Sequence, residues 1–81
     1  MEDDYIKVSD GFYDALEERL IAQKNCEIVF INNGSRSVIR GKIEDLEERE
    51  DGQFAILASG LEIRLDKFMA VDGISSPNYL V

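Results

Sequence analysis

At Cys26 the spacing of apolar residues changes from the period of a helix to the period of a strand, and this switch constrains the fold more than any other feature. Before it, Phe12, Ala15, Leu16, Leu20 and Gln23 fall on one side of a helix at about 100° per residue. Ser9 or Asp10 can cap that helix, which the spacing predicts over residues 10–24 with Asn25 as its stop. The opposite side carries Asp14, Glu17 and Glu18, with Ile21 projected among them or, if the helix ends early, turned inward. Residues 1–9 read as an extended lead-in, because the adjacent carboxylates of Glu2, Asp3 and Asp4 repel one another.

From Cys26 onward the period is two. Cys26, Ile28 and Phe30 alternate with Glu27, Val29 and Ile31 in a first strand, and Asn32-Asn33-Gly34 is a hairpin turn whose residues tolerate positive φ. A second strand, about Arg36 to Asp45, places Ile39, Gly41 and Ile43 on one face and Val38, Arg40 and Lys42 on the other. Gly41 inside it predicts a bend or bulge. Leu46 to Gly52 reads as a charged connection closed by Asp-Gly. A third strand, Gln53 to Ala58, and a fourth, Leu61 to Leu65, are joined by a turn at Ser59-Gly60. Asp66-Lys67 is a short turn before a fifth strand, Phe68 to Val71, and the tail 72–81 has no period, although Tyr79-Leu80-Val81 could dock on the barrel.

A chain of 81 residues supports one core. Five short strands would leave edges that so small a sheet cannot hide. A strongly bent antiparallel barrel of the Sm-like or SH3-like kind, occupying residues 26–71 behind the helix, is therefore expected for the single domain 1–81, with an open sheet crossed by the helix as the other arrangement.

The formal charge of −8 is unevenly placed. Residues 1–18 carry −6 and residues 44–51 carry −5, whereas 19–43 carry +4. Acidic surfaces of this kind repel phosphate and anionic lipid and attract basic partners. Charge placement alone nominates as binding residues Glu18 on the helix, and Glu44, Asp45, Glu47, Glu48, Glu50 and Asp51 in the connection. A solvated face that keeps the chain soluble is the plain reading of either patch.

With no His, a His general base and His-containing metal sets are excluded. Asp45 to Asp51 is a poor calcium loop, since Arg49 stands at a ligand position and Gly52 comes too late for the turn. No apolar stretch marks a pocket that would shift a carboxylate for acid-base work, so no enzymatic activity, metal or cofactor is expected. Lone Cys26 cannot form an internal disulfide and reads as a core thiol. Residues 1–9 are acidic where a secretory signal is basic, and no apolar run approaches the roughly 20 residues that span a bilayer. A cytoplasmic monomer is expected.

Three pieces, Tyr13-Asp14-Ala15-Leu16-Glu17, Gly41 with Asp45-Leu46, and Ile63-Arg64-Leu65-Asp66-Lys67-Phe68, together resemble the Rho-binding antiterminators, small bacterial inhibitors of Rho-dependent transcription termination. The resemblance covers about residues 5–72 and is most specific at 64–67; Ser9 stands where some members have Cys. It implies an Sm-like barrel with an N-terminal helix that binds the RNA-binding domain of Rho and obstructs RNA loading. It also implies a binding role for Asp10, Tyr13, Asp14 and Glu17, and a structural role for Leu65, Asp66 and Lys67, with Asp66 bonded to turn amides. The alternative is an Sm-like RNA-binding module using the basic hairpin around residues 36–42.

Overall fold

Ser9 starts the helix: its backbone is extended, and its Oγ accepts from the Phe12 amide at 3.2 Å. The computed structural model describes residues 5–77, in which α1 (Asp10–Ala22) is followed by β1 (Asn25–Asn32), β2 (Ser35–Arg49), β3 (Gly52–Leu57) and β4 (Glu62–Arg64). A 3-10 turn over Leu65–Lys67 then leads to β5 (Phe68–Val71) and β6 (Ile74–Ser75). The strands form one antiparallel sheet in the order β4-β3-β2-β1-β5-β6, and no pairing joins its two ends among the described residues.

Several sequence expectations shift. The helix stops at Ala22 rather than at residue 24, because Gln23 takes the left-handed conformation (φ 54°) and donates its amide to Arg19 O at 3.1 Å. Ile21 nevertheless stays outward, at 76% exposure. The tail gains a sixth strand: Asp72 turns the chain at φ 49°, and Ile74 and Ser75 pair with Val71 and Ala70. Tyr79-Leu80-Val81 and Glu2, Asp3 and Asp4 lie outside the described residues.

The largest correction concerns the acidic connection. Residues 46–49 are not a loop but the second half of β2, which runs unbroken to Arg49 and turns only at Glu50 and Asp51. The register against β3 slips between Ile43, opposite Leu57, and Asp45, opposite Ile56, so Glu44 is the extra residue of a bulge. That slip reverses the strand's parity. Ile43 and Leu46 both pack on the core while Glu44 and Asp45 are both exposed, a sequence in which the period of two disappears. Gly41 is not the irregular position: it pairs with Cys26 in register, and a Cβ there would meet Leu57 at an ordinary 3.6 Å.

The core is one cluster in which Leu16 from the helix meets Ile28, Ile43, Leu65, Phe68 and Val71, all fully buried. Each such side chain contributes about 1.5–3 kcal/mol relative to exposure. Phe12 docks the helix on β5 through an edge-to-face contact with Phe68, with ring centroids 6.2 Å apart. Cys26 is buried, and its Sγ donates to Gly41 O at 3.3 Å. Burial, reinforced by nearby Asp72, raises its pKa and disfavours the reactive thiolate. Leu61, expected to open the fourth strand, is 41% exposed and precedes the short β4.

Asp66 locks the lead-in to this frame. It accepts from the Ile6 amide at 3.0 Å, a bond that spans 60 positions of the chain. It also takes a two-pronged bond from the Arg64 guanidinium at 2.7 and 3.0 Å. Tyr5 adds a second clasp: its hydroxyl donates to Gln53 Oε1 at 2.9 Å, and its ring lies under Arg64. A Cβ at Gly52 (φ 138°) would stand 2.7 Å from the Tyr5 ring, so only glycine fits there.

Candidate functional site

On α1, Asp10, Asp14, Glu17 and Ile21 recur at the i, i+4, i+7, i+11 spacing of a single helical stripe, and all four are exposed. Glu18 flanks the stripe and reaches Arg19 only at 3.7 Å. The cation of this helix points elsewhere: Arg19 is tied to Asp72 at 3.1 Å and to Ala15 O at 3.1 Å. The outward stripe is therefore anionic, and among the described residues no ion pair involves Asp10, Asp14 or Glu17. Tyr13, nominated by the resemblance, is half-buried against the core beside this stripe.

The acidic residues of β2 divide into two sets. Glu47 is neutralised by Arg49 at 2.8 Å, and Arg49 also binds Glu62 on β4 at 2.7 Å while lying 4.7 Å from the Phe54 ring centroid. The bond from Arg49 holds the Glu62 carboxyl below its ordinary pKa, and the two carboxylates together raise that of Arg49. Glu44, Asp45, Glu48, Glu50 and Asp51 are exposed and form no ion pair among the described residues, although Asp45 Oδ1 accepts from the Leu46 amide at 2.9 Å. Glu47 meets Arg49, two residues on, only because residues 46–49 form a strand, which the run of charges conceals in the sequence.

Contacts at both ends of α1 fasten it beside residues that flank the second acidic run in sequence. α1 packs against β2, and Gln23 Nε2 approaches Ile43 O at 3.5 Å, immediately before Glu44 and Asp45. At the other end, the lead-in to α1 rests on Gly52 and Gln53, immediately after Glu50 and Asp51. The basic residues lie on β2 before the bulge, where Arg36 and Arg40 are exposed and Lys42 is half-buried.

Among the described residues there is no cluster of side chains suited to a metal ion, and no helix is long and apolar enough to cross a membrane. The chain matches no protein-family model and no curated protein sequence.

Proposed function

We propose that this chain is an Sm-like regulator of transcription termination that docks its acidic helix stripe on the basic RNA-binding surface of Rho and blocks RNA loading there. The observation that carries the reading is the run Asp10, Asp14, Glu17 and Ile21 on one exposed stripe whose acids enter no ion pair among the described residues. Protein folds gain nothing from concentrating like charges on one face, whereas a surface built to hold RNA phosphates is complementary to it. Ile21 adds an apolar contact within the anionic field, and Glu44, Asp45, Glu48, Glu50 and Asp51 extend that field along β2.

The Sm-like part of the reading draws on the N-terminal helix, the long bulged β2 that pairs with β1 and then with β3, and the 3-10 turn between β4 and β5. The resembling stretch 64–67 falls on that turn, where Asp66 and Arg64 fasten the lead-in to the helix. This is a structural reason for the motif. The function is inhibition by occupancy, with no chemical step.

The RNA-binding alternative draws on Arg36, Arg40 and Lys42, but Val38 and the cross-strand neighbours Ile31, Val29 and Glu27 supply no aromatic platform for bases. A competition assay tests the proposal. Fluorescent single-stranded RNA bound to Rho should be displaced by this chain at low salt and progressively less as salt rises. Displacement that is absent at low salt, or direct binding of the RNA by this chain, would contradict it.

A further inference from the structure

A second surface follows from what β2 does before its bulge. Residues Ser35 to Lys42 pair with β1 on one side, but on the other side the chain after β3 reaches back only as far as Lys42, whose carbonyl accepts from the Ala58 amide at 2.9 Å, which leaves Ser35 to Gly41 uncovered. Among the described residues, the first half of β2 is thus a strand edge that no other strand covers. Beside it lies a cavity of about 360 Å³ whose apolar floor includes Phe30, Ile39 and Ile63 and whose far wall includes Leu61. Leu61 is 41% exposed there, and Ile39 is half-buried. The gap has the outline of a missing strand: a backbone edge on one side, apolar pockets beneath, and the chain entering β4 on the other.

We propose that this edge takes up an extended acidic segment of a partner protein as an added strand. Unpaired backbone N–H and C=O groups at strand spacing select an extended chain, and the floor accepts its alternate apolar side chains. Charge selects its sign, because Arg36 and Arg40 are exposed along this half of β2 and form no ion pair among the described residues. A second copy meeting edge to edge in antiparallel fashion about Val38 would set Arg36 against Arg40, and opposed like charges destabilise such pairing. This surface lies apart from the helix stripe and does not depend on the reading of that stripe.

The test is a fluorescent heptapeptide alternating Glu with Val, titrated into the full chain and followed by anisotropy and amide NMR. The expected result is saturable binding, with shifts and slowed amide exchange confined to residues 35–41 and 61–64. Affinity should fall about tenfold in Arg36→Glu, and by a similar factor for a peptide alternating Lys with Val. Methylation of the peptide's edge-facing backbone nitrogens should abolish binding. The proposal is overturned by absence of binding at millimolar peptide, by shifts elsewhere, or by equal binding of the Lys peptide. Dimerisation through this edge, or its preferential occupation by single-stranded RNA, overturns it as well.

Discussion

Asp66 and Asp14 carry the same carboxylate in the same small protein, and the fold uses them differently. Asp66 is 6% exposed, with the Ile6 amide and the Arg64 guanidinium on its oxygens, whereas Asp14 stands in solvent without an ion pair among the described residues. The contrast extends to their neighbours. Asp72 holds the Glu27 amide at 2.9 Å and Arg19 at 3.1 Å, and Glu62 holds Arg49, while Asp10 and Glu17 hold nothing comparable. Of the four acids outside the two acidic runs, Glu62, Asp66 and Asp72 build the structure. Most acids within the runs decorate it, which is the distribution expected if their role lies outside the chain.

The sharpest way to break this comparison is to remove a builder. Asp66→Ala leaves Arg64 largely buried without its carboxylate and frees the lead-in, and it should cost about 3 kcal/mol in denaturant unfolding. A loss under about 1 kcal/mol would show that Asp66 belongs with the decorating acids. Leu16→Ala, which empties the helix side of the core, should cost a comparable 2–5 kcal/mol or so and calibrates the scale.

Asp72→Asn sharpens the comparison through pH. The Glu27 amide, with Arg19 adding to it, holds the Asp72 carboxyl below its ordinary pKa, so its charge stabilises the fold above the ordinary carboxylate range. That contribution is lost as pH falls through the lowered folded value. Because Asp72 is partly exposed, the variant should be destabilised by less than about 1 kcal/mol at neutral pH. The gap from the parent should close on acidification; a gap that widens would contradict the assignment.

Reversal of the stripe, Asp14→Lys with Glu17→Lys and Glu18→Lys, should leave stability within about 0.5 kcal/mol per site, because these side chains touch only solvent and a distant Arg19 edge. The smallest effect is expected from Arg49→Ala. It releases Glu47 and Glu62, adds negative charge to the ribbon, and should tighten binding to a basic partner about twofold at low salt.

The elements whose pattern is local were legible in the sequence. β5 has its expected bounds, β1 buries Cys26, Ile28 and Phe30 as their spacing requires although Val29 between them is buried too, and Asn33 and Gly34 turn the hairpin at φ 52° and 80°. The second half of β2 was illegible because one bulge residue, Glu44, moves Leu46 onto the core side and leaves a string of charges that reads as a loop. The outward stripe of α1 could be read from spacing alone. The fastening of α1 beside β2 could not, since it depends on Gln23 reaching Ile43 and Tyr5 lying on Gly52, contacts with no periodic trace.

The most direct test of the central claim is calorimetric titration of the RNA-binding domain of Rho with the parent chain and with the triple-lysine variant of the α1 stripe, at low and at high salt. The account predicts saturable binding by the parent that weakens steeply with salt, and no measurable heat from a variant that remains folded. Equal binding by the two, or parent binding indifferent to salt, would contradict it.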